Sequence, residues 1–524
     1  MKLLYISSIC NINSFGEVSR KYIKMFENYS NWDVYLYNIN STISNNELNI
    51  ELSGNIKGIE YLPDYYVNDN NHKQTDLYLT GCFHINKYII DLNPDIVIIL
   101  FNDLNIYNFE KSIQQIRPFW KGLFVPFIPV DFSNLRKYMF NIDYDACLTM
   151  NEWSVNEIMQ SCDNRYPVYS CPHIVNEFET FSHQEKKRLR KKFHGAHSDK
   201  YIIGCVNANN SRKRYDLVIK SFIKFYKYNS NSILYIKTTK FESGGSVISF
   251  NFDKFIDNYP IFITTQHLSS SELCELYNTF DIMINPTDGE GFGLTPFEAA
   301  MCDTLTILPN NSSYKSLIIN DKIPYYLIPC EYIPNGYARS TEDVYSRMEG
   351  KELFCIYYDF KSQKNKSDLS DTFIPLIPNT VPGVTTYILS KILKPDNIIF
   401  SDMESIFKEN WDVLQIQILV TSDIKTLRYL LQWLKENSDC IWPGKLRERL
   451  VIKTKSIDEL VGFETSLVGI VNVEDLFNIM VYYFNNNEQY KSDLSSLKEF
   501  VTKNYNEKAV WNTFKSIMAK LNLK

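Results

Sequence analysis

The sequence predicts an α/β protein built from two doubly wound, Rossmann-like domains facing across a cleft, with an insertion in the second domain. Three observations lead there. Short runs that are apolar throughout alternate with amphipathic stretches, as expected of parallel strands covered on both faces by helices. The alternation occurs twice, either side of a strongly charged segment. In the second series a strand, a glycine-bearing turn and a helix start follow in immediate succession, which is where such sheets bind ligands.

In the first series, strands are expected at Leu3–Ser7, Val34–Tyr37, Ile96–Phe101, Leu123–Phe127, Ala146–Thr149 and Val168–Ser170, with helices at Gly16–Glu27, Tyr107–Ile116 and Glu152–Ser161. These make an N-terminal domain over 1–182. A linker over 183–198 follows; its segment HQEKKRLRKKFHG holds six basic residues within Lys186–Lys192 and reads as a solvated helix. The second series, 199–334, has strands at Ile202–Val206, Ile233–Lys237, Ile261–Thr264, Ile282–Asn285 and Leu305–Leu308, and helices at Arg214–Lys227, Ser271–Thr279 and Pro296–Met301. From 335 to 452 the pattern becomes irregular, with a polar loop at Ser362–Asp371 and helical amphipathy at Ile424–Glu436; this is the insertion. Residues 453–524 close the second domain with helices at Glu474–Phe484, Glu488–Thr502 and Glu507–Leu521.

Composition excludes several classes. The 524 residues suggest about three folding units. With 44 % hydrophobic and 22 % charged residues the chain is not wholly disordered. A net charge of −6 argues against a nucleic-acid partner. The eleven cysteines are scattered and never spaced Cys-x-x-Cys, so neither a disulfide framework nor a metal site is expected. The densest apolar run, Ile96–Phe101, is a strand rather than a membrane span, and MKLLYISSIC reads as a first strand rather than a signal peptide. A cytoplasmic protein is expected, with a peripheral membrane contact left open.

The chemistry concentrates in Asp281–Asp303, DIMINPTDGEGFGLTPFEAAMCD. Gly289, Gly291 and Gly293 permit close backbone approach to a ligand, and the amides at the following helix start favour an anion such as a diphosphate. Glu290 and Glu298, seven residues between them, are acceptors suited to sugar hydroxyls. Thr295-Pro296-Phe297-Glu298 is equally a helix capping box, in which Glu298 would serve the helix alone.

Glu290-Gly-Phe-Gly followed by Glu298-Ala-Ala resembles the E-x7-E motif of retaining glycosyltransferases of the GT-B fold, in particular the group 1, family 4-like set. Ser271–Asp281 resembles the helix before that motif, Arg212–Leu217 the basic motif of the donor lobe, and Val473 onward the terminal helices that cross back to the first lobe. The resemblance implies transfer of a sugar from a nucleoside-diphosphate donor, UDP- or GDP-linked, to an acceptor hydroxyl of a glycan, lipid or protein-linked group, without a metal or other cofactor. It implies that Glu290 contacts the donor sugar and Glu298 the ribose. The amides of Gly291, Phe292, Gly293, Leu294 and Thr295, with Lys213, would stabilise the diphosphate, and Gly16 would lie in a glycine loop after the first strand.

Two departures bear on the site. Ala208 stands where the family commonly has an Arg, leaving Arg212 or Arg214 to supply a second cation. Pro129-Val130-Asp131 replaces the family's acceptor-lobe His, making Asp131 either an acceptor contact or base, or a turn cap. His267 is placed at the base pocket, and His173 in the core or on the surface. Two other functions fit the same residues: a nucleotide-sugar epimerase or hydrolase, and a non-catalytic nucleotide-sugar-binding scaffold.

Overall fold

A computed structural model describes residues 1–9, 14–39, 54–61, 84–101, 113–133, 135, 144–209, 211–239, 258–318, 322–334, 352–358, 416–420, 450–456 and 467–523. The first lobe is a parallel sheet of β1 (Lys2–Ser7), β2 (Asp33–Asn38), β3 (Ile56–Tyr61), β4 (Ile96–Leu100), β5 (Leu123–Phe127), β6 (Cys147–Thr149) and β7 (Val168–Ser170), in the order β3-β2-β1-β4-β5-β6-β7. Every residue of β4 is buried, because helices cover both faces and leave no wet side for polar residues. Helix α1 (Ser14–Tyr29) buries Val18, Tyr22, Met25 and Phe26, spaced to line one face. Helix α2 (Glu152–Ser161) is capped by the Asn151 side chain, which accepts from the Ser154 N–H.

Helix α3 (His183–His194) starts in a capping box between Ser182 and Glu185 and ends at Gly195, φ 52°. It is less solvated than its charge suggests. Leu189 is buried, and Arg190 and Lys192 pair with Asp281 and Glu275 of the second lobe at 2.6 and 2.5 Å. Arg190 and Lys192 thus dock the helix onto acidic neighbours, while Lys187, Arg188 and Lys191 are exposed.

The second sheet is also parallel: β8 (Tyr201–Val206), β9 (Ser232–Lys237), β10 (Ile261–Thr264), β11 (Ile282–Ile284), β12 (Thr306–Pro309) and β13 (Leu327–Ile328), ordered β10-β9-β8-β11-β12-β13. Helices α4 (Tyr215–Tyr228), α5 (Ser270–Tyr277) and α6 (Leu294–Met301) pack on it. The strand order reverses between β8 and β11, so the loops leaving these strands diverge and open a crevice at their carboxyl ends. Two doubly wound units of this kind make the GT-B architecture.

Some elements differ from expectation. β3 has no counterpart among the expected strands; as an edge strand with Lys57, Gly58 and Glu60 it lacks the apolar run of a central strand. β14 (Glu331–Pro334) pairs antiparallel with β18 (Leu467–Ile470), so the insertion leaves and re-enters the second lobe side by side. Within it, β15 (Glu352–Tyr358), β16 (Ile416–Val420) and β17 (Leu450–Ser456) form an antiparallel sheet, and β17 runs through the expected boundary at 452. The loop Ser362–Asp371, the segment Ile424–Glu436 and most of Tyr107–Ile116 lie outside the described residues.

Three helices end the chain: α7 (Val473–Asn485), α8 (Asn487–Asn504) and α9 (Glu507–Lys520). α9 lies on α1 of the first lobe. Phe514 packs 5.3 Å from Phe26 and 6.0 Å from Trp32, and Trp511 lies 5.6 Å from Trp32, measured between ring centroids. Phe514→Ala should therefore destabilise the first lobe, although the residue lies at the other end of the chain. The expected loss is about 3–5 kcal/mol, read as a lowered denaturation midpoint by tryptophan fluorescence.

Candidate active site

Loops from the two switch-point strands of the second lobe build the site. Asn207, just after β8, donates to the Asn285 side chain just after β11 at 2.9 Å, and Asn285 donates in turn to Tyr314 Oη at 3.1 Å. This buried bridge forms the floor. Above it, Arg212 and Lys213 reach the Glu290 carboxylate: Arg212 Nη1 lies 3.1 Å from Glu290 Oε2, and Lys213 Nζ donates to the same oxygen. Arg212 also donates to the Gly289 carbonyl and lies 3.7 Å from Asp131 Oδ1, which belongs to the first lobe. Glu290, Lys213, Arg212 and Asp131, read separately from the sequence, thus stand in one cluster where the lobes meet.

Their charges are mutually adjusted. Burial pushes the Glu290 carboxyl up, but Arg212 and Lys213 together outweigh it and hold it below the ordinary carboxylate value. Asp131 moves the other way. Burial raises it, Arg212 opposes, and the nearby Glu290 charge raises it further. Burial also lowers the Lys213 ammonium against the pull of Glu290. Burial disfavours the Arg212 charge too, yet Asp131 and Glu290 carry its pKa above the usual arginine value.

The glycines explain how the lobes come so close. A Cβ on Gly289 would lie 2.0 Å from the Asp131 carbonyl oxygen, and one on Gly291 would lie 2.8 Å from Pro129 Cβ. Gly293, φ 81°, is the N-cap of α6 and has the left-handed conformation that glycine accepts most readily. This corrects the capping-box reading: α6 begins at Leu294, Thr295 already lies within it, and no side chain caps it. Leu294 and Thr295 are part-exposed at the helix start, whereas Phe292 is buried against Phe297, Tyr505 and His173.

Glu298, released from capping, faces the first lobe. Its Oε1 accepts from Asn176 Nδ2 at 2.6 Å and lies 3.9 Å from Lys21 Nζ of α1, while Tyr277 Oη donates to Oε2 at 3.4 Å. Burial raises its carboxyl above the ordinary value against the pull of Lys21. Gly16 sits inside the first turn of α1 rather than in a loop after β1. His267 is exposed in the turn after β10, with no hydrogen bond or ion pair to the cluster among the described residues. His173 is buried at the lobe junction, between Tyr22, Phe127 and Phe292; burial pulls its pKa down to about 3, so the ring is neutral at physiological pH.

Of the two arginines offered as a second cation, Arg214 is committed elsewhere. Its backbone is left-handed (φ 51°), and its guanidinium is buried on Asp216 and Asp288 at 2.9 and 3.1 Å. The polar run Asn311-Ser312-Ser313, not among the expected site residues, holds the turn: Glu290 N–H donates to Ser312 Oγ at 2.8 Å, and Ser313 Oγ donates to the Phe292 carbonyl at 3.2 Å. Four consecutive small polar residues after β12, Asn310–Ser313, were the available signal. Arg214→Met should cost about 3–5 kcal/mol by removing one partner of a buried ion pair; a lowered midpoint in urea melts checks this.

Among the described residues no helix is long and apolar enough to cross a membrane. Cys147, Cys162, Cys171, Cys205, Cys274, Cys302 and Cys330 carry free thiols. No curated protein matches the sequence. Similar solved structures include a sucrose-phosphate synthase from Thermosynechococcus elongatus, 13 % identical over 63 % of this chain and 86 % of that one, TM-score 0.48. Another is Anabaena HepE in complex with UDP-glucose, 10 % identical over 61 % and 83 %, TM-score 0.46. A third is the N-terminal domain of a trehalose-6-phosphate phosphatase from Candida albicans, 12 % identical over 60 % and 84 %, TM-score 0.45. Residues 186–346 match the family model described as glycosyl transferases group 1, and over that stretch the chain carries a glycosyltransferase domain.

Proposed function

We propose that the protein is a retaining glycosyltransferase that moves a sugar from a UDP- or GDP-linked donor to a hydroxyl of a glycan, lipid or protein-linked acceptor. One observation carries this reading. Arg212 and Lys213 converge on Glu290 in a glycine turn at the start of α6, at the switch point of the second sheet and under the Asp131 side of the first lobe.

Breaking the bond between the sugar and a diphosphate builds negative charge on the leaving oxygens. Arg212, Lys213 and the amides at Gly293–Thr295 are fixed donors and cations placed to stabilise that charge. Because the two side chains bring their own positive charge, the reading requires no metal. Glu290 accepts hydrogen bonds from donor-sugar hydroxyls once its cations turn to phosphate. Asp131, whose carboxyl stands above its ordinary value, takes the proton of the acceptor hydroxyl as it attacks. In this reading the acceptor enters on the face from which the diphosphate departs, giving retention. Glu298 would reach the ribose only by loosening its hold on Asn176 and Lys21.

A thermal-shift screen with UDP, GDP, ADP and their sugars should single out UDP or GDP, since a ligand at 100 times its Kd adds about 2.7 kcal/mol. With that donor, Glu290→Gln and Lys213→Gln should each lower kcat/KM by roughly 100-fold or more in a folded protein, and a chelator should leave the rate unchanged. Near-normal turnover by both variants would refute the site. Epimerised or hydrolysed donor formed without acceptor would favour the other enzyme reading, and binding without turnover the scaffold.

A further inference from the structure

The two lobes hold consecutive peptides of the donor turn. Around Glu290 the bonds are internal to the second lobe: its N–H donates to Ser312 Oγ at 2.8 Å, and its carbonyl accepts from the Ser313 N–H at 3.2 Å. At Gly291 the partners come from the first lobe. The Gly291 N–H favours the charged form of the Asp131 carboxylate, and its carbonyl accepts from Asn151 Nδ2 at 3.2 Å. Asn151 is buried, 4 % exposed, and its amide orientation is fixed by its surroundings: Ser154 N–H and Ser154 Oγ both donate to Oδ1, at 2.9 and 3.0 Å, so only the NH2 is left to face Gly291.

One side chain therefore does two things. Its oxygen caps α2, and its nitrogen reaches across the lobe boundary to the residue beside Glu290. A helix cap needs only an acceptor, which serine or aspartate provides as well as asparagine. The second arm has no use in capping.

Resting on the glycosyl-transfer reading, we propose that Asn151 is a positioning residue: it ties the Gly291 carbonyl to the first lobe and thereby sets where the Glu290 carboxylate stands when the lobes are together. Acceptor lobe and donor turn are then registered against each other before any substrate contact is made.

Asn151→Ser and Asn151→Asp separate the two arms. Both keep an acceptor for the Ser154 N–H and remove the donor to Gly291, and aspartate further sets a carboxylate oxygen against the Gly291 carbonyl. Hydrogen exchange on the full-length chain without substrate should show severalfold faster exchange across 289–293, more in the aspartate variant, while 152–161 keeps its protection. With the active donor, kcat should fall about tenfold, the effect of one lost hydrogen bond, with KM for the donor unchanged. Unaltered exchange at 289–293, equal loosening of 152–161, or a wild-type kcat would overturn the proposal. The exchange arm needs no turnover, so a wild-type chain that transfers nothing counts against the function and not against Asn151.

Discussion

The contact of the Gly289–Gly291 turn with Pro129–Asp131 is the constraint on which the site depends. Both lobes present backbone at van der Waals range, and a methyl group on either glycine would meet atoms of the other lobe at 2.0 or 2.8 Å. This approach brings a carboxylate of the first lobe within reach of two cations of the second. Two acids and two bases share a largely desolvated space, and their mutual neutralisation makes that tolerable: a buried charge deprived of its partner costs several kcal/mol. The Glu290 carboxylate is held beside both Lys213 and Arg212.

The rest of the architecture holds that contact in place. The Asn207–Asn285 bridge joins the ends of the two strands whose loops build the cluster. Glu298 adds a second interlobe tie through Asn176 and Lys21. The last helix, resting its aromatic side chains on α1, ties the end of the chain to its beginning. The stem of the insertion also touches the site loop: the Gly469 N–H donates to the Asp288 carbonyl at 3.0 Å, and Asn311 donates to the Gly469 carbonyl at 2.9 Å.

Arg212 and Arg214 show how neighbouring like residues acquire different work. Both lie in the basic stretch before α4, and both are of the type suited to phosphate. The left-handed backbone at Arg214 accompanies a guanidinium packed inward on Asp216 and Asp288, whereas Arg212 keeps its end at the lobe junction.

Local chemistry determined much of this protein directly. Central strands such as Ile96–Leu100 declare themselves because burial on both faces permits only apolar residues, and the glycine turn with its acid and the basic Arg212-Lys213 pair are legible because each needs specific residue types at fixed spacing. What sequence could not decide were relations between distant segments. Edge strand β3 hides because its exposed flank tolerates lysine and glutamate. Thr295–Glu298 carries a capping signature that α6 does not use, since a buried carboxylate gains more from Asn176, Tyr277 and Lys21 than from a helix end open to water. Asn151 looks like any other cap until folding brings Gly291 to its free nitrogen. Spacing along the chain specifies local geometry, whereas the partner of a polar group across a lobe boundary is fixed only when the two sheets pack.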